Sequence, residues 1–188
     1  MAPALASEAA VAVIGAGAMG AGIAQVAAQA GHEVLLFDAR EGAAGEAVRR
    51  LAATFDQLAS KGRLRAQDAR AAAARVSAVR PAADCAGAKL VVEAIVEDLE
   101  VKRGLLRELE SAVADDAILA SNTSSLSITA LAAGMKRPGR VAGMHFFNPA
   151  PLMPLFEVVR GRATDPGVDE TLVATALLVS RYVLPFLF

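Results

Sequence analysis

The sequence predicts an α/β fold with a doubly wound, mostly parallel sheet and a two-helix excursion after the second strand. Three observations lead to this prediction. Short apolar runs alternate with longer segments of helical periodicity along most of the 188 residues. The first apolar run leads directly into a glycine-rich turn and then into a helical segment. The hydrophobic content is 55%, and much of it is alanine, which suits helices packed closely on a sheet.

The glycine-rich turn follows the apolar strand Val11–Ile14 and has the spacing Gly-x-Gly-x-x-Gly. Gly15 permits the tight turn, Gly17 leaves room for a pyrophosphate against bare backbone, and Gly20 lets the next helix lie close to the strand. The N-terminus of that helix, which Gly31 closes, offers free N–H groups and a positive dipole end to phosphates. The context predicts a dinucleotide site of the Rossmann type, and the alternative is a glycine-rich turn in some other α/β protein.

A second apolar strand, Val34–Phe37, ends in Asp38. This acid lies roughly 20 residues past the glycines, where a carboxylate can accept hydrogen bonds from the ribose hydroxyls of a dinucleotide. His32, just after the glycine that ends the first helix, is expected to be a solvent-exposed turn residue.

Two helical segments follow Asp38, where a simple doubly wound fold has one. Residues 41–60 carry apolar side chains at three- and four-residue steps, Lys61-Gly62 breaks this pattern, and a second helix is predicted over about 67–74. The pattern leaves two interpretations open: the excursion serves substrate binding, or it only covers an edge of the sheet.

The middle of the chain continues the alternation of strands and helices. Residues 75–79 are predicted as a short strand, 81–89 as a turn or short helix, and 90–96 as a strand whose nearly continuous apolar character is typical of burial on both faces. Glu97-Asp98 opens a helix, because acidic residues in the first turn suit the helix dipole. The next strand is predicted over residues 118–120.

The polar segment 121–125, with the sequence Ser-Asn-Thr-Ser-Ser, directly follows that buried strand. We call it the serine-rich loop. Ligands of open α/β sheets bind beyond the carboxyl ends of the strands, so the loop is predicted to face a cofactor. Its alternative role is to cap the helix predicted over 127–133, for which Ser125 or Ser127 is suited. Five consecutive hydroxyl and amide residues exceed what one cap needs.

His145 is the candidate catalytic base, because the strand predicted over 141–144 delivers it to the ligand edge of the sheet. A stiff loop follows over 146–151, and the next strand, 155–159, carries Glu157. A carboxylate on one ring nitrogen fixes the tautomer of a histidine and stabilises the imidazolium formed on proton uptake. Beside a nicotinamide, such a pair would take the proton from an alcohol while carbon gives up hydride.

Composition and charge argue against several classes of protein. Lys and Arg total 19 against 20 Asp and Glu, so the formal net charge is -1 and no basic surface for nucleic acid is expected. Cys85 is the single cysteine, which excludes an internal disulfide and is compatible with a reducing compartment. No secretory signal is recognisable, and no apolar run approaches the roughly 20 residues of a membrane span. A cytoplasmic protein without nucleic-acid or membrane partners is therefore expected.

Four motifs together resemble the NAD-binding half of the 3-hydroxyacyl-CoA dehydrogenases. They are Gly-Ala-Gly-Ala-Met-Gly-Ala-Gly-Ile-Ala from Gly15, Val-Glu-Ala-Ile-Val-Glu from Val92, the serine-rich loop, and His-Phe-Phe-Asn-Pro from His145. The resemblance covers nearly the whole chain, from about residue 11 to residue 182, and the last two motifs are close to diagnostic.

The resemblance implies NAD as the cofactor and a 3-hydroxyacyl-CoA, oxidised at its 3-hydroxyl, as the substrate. It implies His145 as the catalytic base, Glu157 as its orienting acid, and Ser124 near the substrate's 3-oxygen and the nicotinamide. Thr54 and Lys61 resemble the family's positions for the CoA moiety, which favours substrate binding as the role of the excursion. The positions implied to contact NAD are Gly15, Ala16, Gly17, Ala18, Met19, Gly20, Asp38, Glu97, Lys102 and Asn148.

Three of these positions also have a simpler interpretation from pattern alone. Lys102 is favoured as a solvated helix lysine, Thr54 can bond back within its own helix, and Ser124 can act as a helix cap.

The sequence departs from the family near its end. Asp165-Pro166 starts a last helix that is predicted to extend to about Arg181. Residues 183–188 match none of the family's following segments, which lead into an all-helical domain. We therefore expect an NAD-binding domain over 1–182 and an atypical tail over 183–188, with poor turnover by this chain alone. The helical domain normally completes the acyl pocket and the dimer contact, so the full-length enzyme is expected to be a homodimer.

Two other functions stay open from the sequence. One is another β-hydroxyacid dehydrogenase, a class that uses a lysine base, and the loop at His145 argues against it. The other is a non-catalytic NAD-binding protein that kept the fold. Within the leading hypothesis, hydroxybutyryl and hydroxyadipyl thioesters are both possible substrates.

Overall fold

The computed structural model describes residues 2–80, 82–153, 155–179 and 182–187. The strands are β1 (Val11–Ile14), β2 (Val34–Phe37), β3 (Val76–Ala78), β4 (Leu90–Glu93), β5 (Ile118–Ser121), β6 (Val141–Phe146), β7 (Leu155–Arg160) and β8 (Tyr182–Leu187). The α-helices are α1 (Ala18–Ala30), α2 (Ala43–Ser60), α3 (Ala66–Ala74), α4 (Leu99–Ala112), α5 (Ile128–Leu131) and α6 (Pro166–Val179). Two 3₁₀ turns lie at Ala82–Cys85 and Pro138–Arg140.

The strands form one sheet in the order β3-β2-β1-β4-β5-β6-β7-β8. Neighbouring strands are parallel except β6 and β7, which pair antiparallel. The chain places β2 and β3 on one side of β1 and the later strands on the other. The strand order thus changes direction at β1, and such a change leaves a crevice beyond the carboxyl ends of the central strands, where ligands of open α/β sheets bind. The predicted fold class, including the two helices after the second strand, is confirmed.

Helices cover both faces of the sheet, so the central strands are buried on both sides. Along β1, Val11 and Val13 pack into one core with residues of α1, α2, α3 and α6, whereas Ala12 and Ile14 pack into the other with α4 and α5. This division follows from the alternation of side chains along a strand. It explains why β1, β4 and β5 are apolar at nearly every position and buried at all of them.

The two-helix excursion is part of the core. Phe55 of α2 is wholly buried, together with Ala47 and Leu51 on the same face of the helix. These spacings of four residues place the three side chains on one stripe. Truncating a buried phenylalanine typically costs about 3–5 kcal/mol of stability. The excursion therefore covers the sheet, whichever further role its exposed side has.

Two strand boundaries differ from the predictions by two residues or more, and those of β3, β5 and β7 differ by one residue. β4 ends at Glu93 rather than at residue 96, because the Ile95 N–H donates to the carboxylate of Glu93 (2.8 Å) instead of continuing the ladder. β6 extends past residue 144 to Phe146, because the antiparallel partner β7 pairs with its last residues. His145 therefore lies within a strand and not just after one.

The expectation that His32 is exposed is wrong. Its side chain is buried, and its Nδ1 lies 3.1 Å from the carbonyl oxygen of Ala9, because the segment before β1 covers the turn. Gly31 ends α1 as predicted, with φ of 108°.

The backbone of residues 182–187 forms β8 and continues the sheet beside β7, so this strand contains both the last residue of the predicted domain, Tyr182, and residues 183–187 of the predicted tail. The predictions include six positions that lie outside the described residues: Met1, Pro81, Pro154, Ser180, Arg181 and Phe188. Among the helices that the structure describes, none has both the length and the apolar character needed to cross a membrane.

Candidate active site

The turn between β1 and α1 has the backbone that its glycines predict. Gly15 has φ of 106°, and a Cβ at this position would lie 2.6 Å from the carbonyl oxygen of Ala94. At Gly20 a Cβ would collide with the carbonyl group of Gly15. Gly17 differs from both, because no atom lies within 4 Å of the place its Cβ would take. The first two glycines are required by the chain itself, and Gly17 leaves open space in front of the turn.

Asp38 lies beside this turn at the end of β2. Its Oδ2 accepts a hydrogen bond from the Ala16 N–H (2.8 Å), and its Oδ1 accepts one from the Arg40 N–H (2.9 Å). Burial raises the pKa of Asp38, but the two N–H groups and the charge of Arg40 lower it by more, so the pKa lies below its ordinary value. The carboxylate is therefore ionised at neutral pH.

A cavity of about 490 Å³ adjoins Asp38 on the side of α2 and β3. Three arginines, Arg40, Arg49 and Arg80, are among its lining residues, together with Glu41. Arg40 and Arg80 each lie near an acid, with Arg40 Nε 3.4 Å from Asp38 and Arg80 Nη1 3.7 Å from Glu41. The cavity continues the crevice beyond the end of β2.

Glu97 holds the serine-rich loop. Its Oε1 accepts hydrogen bonds from the Thr123 hydroxyl, the Ser124 N–H and the Ser125 hydroxyl. Burial raises the pKa of Glu97, but the hydrogen bonds from the loop and the charge of Lys102 lower it by more, so the net shift is downward. An ionised Glu97 thus gathers three donors of the loop around one oxygen.

Lys102 is buried in α4, with 1% of its side chain exposed, so the interpretation as a solvated lysine is wrong. Its Nζ lies 2.5 Å from Oε1 of Glu93 and 3.2 Å from Oε2 of Glu97. Glu93 is also fully buried, and its Oε2 accepts a hydrogen bond from the Ser121 hydroxyl (2.7 Å). A lysine one turn into a helix is buried here because two carboxylates from the preceding segment surround its charge.

His145 and Glu157 face each other across β6 and β7, where the antiparallel register pairs them directly. The His145 Nδ1 lies 2.7 Å from Oε2 of Glu157. The ring of Phe147 packs against the imidazole at a centroid distance of 4.6 Å. The predicted contact between the histidine and the acid is thus present, and Nε2 is the ring nitrogen that stays available to another molecule.

A second cavity of about 490 Å³ opens at this pair. It is lined by His145 and Glu157, by Ser124 and Ser125 of the serine-rich loop, and by Leu126 among others. The structure therefore brings the three predicted catalytic positions into one cavity. The expectation that a serine caps α5 is met by Ser127, whose hydroxyl accepts a hydrogen bond from the Ala130 N–H.

The other predicted positions lie further from this cavity. Asn148 is exposed in the loop after β6. Lys61 is exposed at the end of α2. The Thr54 hydroxyl donates to the carbonyl oxygen of Arg50 (2.9 Å), which is the simpler interpretation of this threonine. Both Thr54 and Lys61 belong to the excursion, and neither is among the described residues that line the cavity at His145.

Two residues of the site carried no separate prediction. Glu93 was included in the apolar strand and in the motif from Val92 without a role of its own, although a charged residue inside an apolar run is itself a signal of a buried pair. Asn122 links the serine-rich loop to β6, because its Oδ1 accepts a hydrogen bond from the Phe146 N–H (2.8 Å). No local pattern could have indicated that link, since it joins positions 24 residues apart.

The arrangement fits a dinucleotide in three respects. The space at Gly17 can take a phosphate, no side chain caps the first turn of α1, and Asp38 offers carboxylate oxygens at the end of the neighbouring strand. Among the described residues, no group of three His, Cys, Asp or Glu side chains could hold a metal ion.

Comparisons with known proteins agree with this geometry. The profile of the family described as "3-hydroxyacyl-CoA dehydrogenase, NAD binding domain" matches residues 10–185. The chain is 47% identical over 167 residues to a 3-hydroxyadipyl-CoA dehydrogenase of Escherichia coli (strain K12), covering 89% of this chain and 35% of that protein. It is 40% identical over 171 residues to a 3-hydroxybutyryl-CoA dehydrogenase of Clostridioides difficile, covering 91% and 61%.

The fold is also similar to that of a solved relative. The crystal structure of a 3-hydroxybutyryl-CoA dehydrogenase from Escherichia coli K12 superimposes with a TM-score of 0.93 at 43% identity, covering 96% of this chain and 38% of that one. The chain thus spans less than two thirds of the length of each of these relatives.

Proposed function

We propose, from the premise that this chain belongs to the family of 3-hydroxyacyl-CoA dehydrogenase NAD-binding domains, that it supplies the cofactor site and the catalytic base for oxidation of a 3-hydroxyacyl-CoA. The observation that carries the proposal is the 2.7 Å contact between His145 and Glu157 in a cavity shared with Ser124. This cavity and the glycine-rich turn lie at the same edge of the sheet. When bound, NAD supplies the acceptor for the hydride that leaves the 3-carbon.

The proton chemistry falls to His145. With Nδ1–H donating to Glu157, the neutral imidazole presents Nε2 as an acceptor for the proton of the 3-hydroxyl. The carboxylate then stabilises the positive charge that the imidazole gains, and the tilted Phe147 ring packs beside it. Ser124, in the same cavity, would position the oxygen that loses the proton. The product is the 3-oxoacyl-CoA.

The nucleotide contacts are proposed for residues at the first two strands. Asp38 Oδ2 has one protein donor, the Ala16 N–H, so a lone pair is left for a ribose hydroxyl. The backbone of the glycine-rich turn, from Gly15 to Gly20, would contact the pyrophosphate. Glu97, Lys102 and Asn148 are the further proposed contacts on the nicotinamide side.

The acyl-CoA contacts are proposed for the exposed side of the excursion. Lys61 carries a positive charge at the end of α2, where a phosphate of CoA can pair with it. The Thr54 hydroxyl keeps a lone pair for an additional hydrogen bond. We propose a 3-hydroxyacyl-CoA of the class named for the two relatives, hydroxyadipyl or hydroxybutyryl, and a homodimer as the assembly of the whole enzyme.

The test is a single-turnover experiment with this chain in excess. NADH binding is measured first by the change in reduced-nicotinamide fluorescence, and acetoacetyl-CoA is then added to follow oxidation of the bound NADH. Oxidation that depends on the thioester and is lost in His145→Gln supports the proposal. Tight NADH binding without such oxidation would limit the role of this chain to cofactor binding, which is also the result expected if the acyl pocket needs the helical domain. Absence of NADH binding would contradict the cofactor site itself.

A further inference from the structure

We propose that Glu93 is a positioning residue that fixes the serine-rich loop in its binding position by taking up the charge of Lys102. The inference deepens the proposed function, because it concerns the loop that carries Ser124. Glu93 lies within one of the four motifs that carry the family resemblance, but no role for this residue was implied by that resemblance. It contacts neither the cavity at His145 nor the glycine-rich turn through any atom described above.

The first step is that Glu93 anchors the beginning of the loop. Glu93 ends β4, and its register partner on β5 is Ser121, whose hydroxyl donates to Oε2 of Glu93 (2.7 Å). The other carboxylate oxygen, Oε1, accepts from the Ile95 N–H and from Lys102 Nζ. Both oxygens are thus used, and the carboxylate is held from three directions.

The second step is that Glu93 controls the far end of the loop through Lys102. The Lys102 Nζ lies 2.5 Å from Glu93 and 3.2 Å from Glu97, so its charge is shared unequally between the two acids. Glu97 uses its other oxygen to hold the backbone and hydroxyl donors of the loop. The Glu93–Lys102 pair is neutral overall, and Glu97 keeps the surplus negative charge that attracts those donors.

The third step concerns what happens when the charge of Glu93 is removed. A buried ammonium needs a carboxylate, since an unpaired buried charge is strongly unfavourable. Without Glu93, Lys102 has only Glu97 as an ionised partner in the described contacts, and this acid is drawn toward the ammonium and away from the loop. The donors of Thr123 and Ser124 then lose their acceptor, and the loop loosens.

Stability alone does not account for such a pair. Replacing a buried ion pair with apolar residues of similar volume is often neutral or stabilising, because desolvation offsets the attraction. A carboxylate with 0% exposure at the end of an apolar strand is therefore better explained by the geometry that it imposes on its neighbours. Here that geometry is the path of the loop from Ser121 to Ser125.

The test compares Glu93→Gln with Leu109→Ala in this chain. Leu109 is fully buried in the same helix as Lys102 but lies in the apolar core, so its truncation lowers the stability without touching the loop. Three quantities are measured: the free energy of unfolding, hydrogen exchange of the peptide spanning residues 121–126 without NADH, and the dissociation constant for NADH. We expect Glu93→Gln to speed exchange of that peptide and to weaken NADH binding at least tenfold. Leu109→Ala should leave the NADH dissociation constant within twofold of the wild type.

A double substitution tests the role of the charge. Glu93→Gln/Lys102→Met contains no unpaired buried cation, so it should fold even if the single variant does not, and Glu97 is free to hold the loop again. We expect protection of the 121–126 peptide to recover in this variant to near the wild-type level.

Two outcomes would overturn the proposal. One is Glu93→Gln with wild-type loop exchange and an NADH affinity no worse than that of Leu109→Ala. The other is loop protection that stays lost in the double variant. Because loop exchange is measured without NADH, a wild-type chain that fails to bind NADH would contradict the proposed function, and wild-type loop exchange in Glu93→Gln would then by itself overturn this proposal.

Discussion

The two nitrogens of the His145 imidazole have different surroundings. The antiparallel register of β6 and β7 places Glu157 against Nδ1, and the strand backbone fixes the position of both residues. The Nε2 atom is left for a substrate, and the neighbouring hydroxyl of Ser124 lines the same cavity. A base carried on a strand is held more rigidly than one on a loop, so a strand position for His145 favours precise placement of the proton acceptor.

The first prediction concerns the relative importance of the histidine and its partner acid. His145→Gln should lower the single-turnover rate by about 10²–10⁴-fold, the usual contribution of a general base. Glu157→Gln should lower the rate by less, because the base stays in place and loses only its charged partner. Both variants should bind NADH within a factor of a few of the wild type. Rapid-mixing fluorescence gives the rates, and an unchanged rate in His145→Gln would refute the assignment of the base.

The second prediction concerns nucleotide preference. Asp38 is ionised beside the turn, so a 2′-phosphate at that position would meet a like charge. We expect NADH to bind more tightly than NADPH. The substitution Asp38→Asn should reduce this difference in affinity between the two nucleotides. Arg40 lies on the exposed side of the carboxylate, where it could hold the extra phosphate. Arg40→Ala is therefore the control, and it should increase the difference in affinity between NADH and NADPH. Fluorescence titration with both nucleotides is the measurement, and tighter binding of NADPH by the wild type would contradict the role of Asp38.

The third prediction concerns the pH dependence of stability. Because the pKa of Asp38 is lower in the folded chain than its ordinary value of about 4, Asp38 contributes stability that is fully present above that ordinary value. This contribution is lost as the pH falls through the folded-state pKa. The wild type should therefore lose more unfolding free energy than Asp38→Asn between neutral pH and about pH 3. Urea unfolding at several pH values gives the unfolding free energy as a function of pH for both proteins. An equal pH dependence in the two would show that the donors do not stabilise the ionised carboxylate of Asp38.

At the scale of one element, the β1–α1 turn separates two uses of glycine. Gly20 is needed for folding, since a Cβ there would overlap the carbonyl group of Gly15. Gly17 has an ordinary backbone conformation, with φ of -69°, and open space where its Cβ would be. The same motif thus contains one position that the fold requires and one that only a ligand requires.

The fourth prediction follows from that difference. Gly17→Ala should fold with at most about 1 kcal/mol lost, the usual scale for changing an N-cap residue, but it should bind NADH at least tenfold more weakly. Gly20→Ala should lower the free energy of unfolding by several times that amount, because backbone must move to admit the methyl group. Urea unfolding and NADH titration on the two variants measure both effects. A Gly17→Ala variant with wild-type NADH affinity would show that the pyrophosphate does not approach this residue.

The sequence was sufficient for elements whose signal is local. The strand–turn–helix at Val11–Ile14 and the helix end at Gly31 depend on backbone preferences of nearby residues, and both are present as predicted. The pairing of His145 with Glu157 could also be predicted, because strands that follow one another in the sequence are usually neighbours in the sheet. Fold class and the general position of the site therefore followed from pattern.

The burial of polar side chains could not be predicted from the sequence in the same way. His32 is buried by a segment that precedes β1, and Lys102 by two acids in the segment ahead of its helix. The end of β4 was misplaced because the Glu93 side chain takes over a backbone donor that an extended strand would pair with a neighbour. The first two outcomes depend on contacts between separate elements, and the third depends on a side chain that accepts from a backbone N–H two residues further on. Helical or strand periodicity contains no information about either kind of contact.

At the scale of the whole molecule, the proposed site collects residues from strands on both sides of β1. Asp38 follows β2, Glu97 follows β4, and His145 lies near the end of β6, so a bound dinucleotide would bridge elements that are far apart in sequence. A ligand that binds only the assembled crevice stabilises the whole folded state, because unfolding of any of these strands destroys the site.

The fifth prediction is that NADH raises the melting temperature of this chain. At a ligand concentration 100 times the dissociation constant, binding to the folded state alone contributes about 2.7 kcal/mol. A domain of this size gains about 2–4 °C per kcal/mol, so the expected increase is about 5–11 °C. The same NADH concentration should raise the melting temperature of Gly17→Ala by about half as much or less, given its at least tenfold weaker binding, and that variant is the control because its fold should be intact. Thermal unfolding followed by circular dichroism gives both values. An equal increase in wild type and Gly17→Ala would mean that NADH stabilises the chain from somewhere other than the glycine-rich turn, since a ligand stabilises a fold only through the site that unfolding destroys.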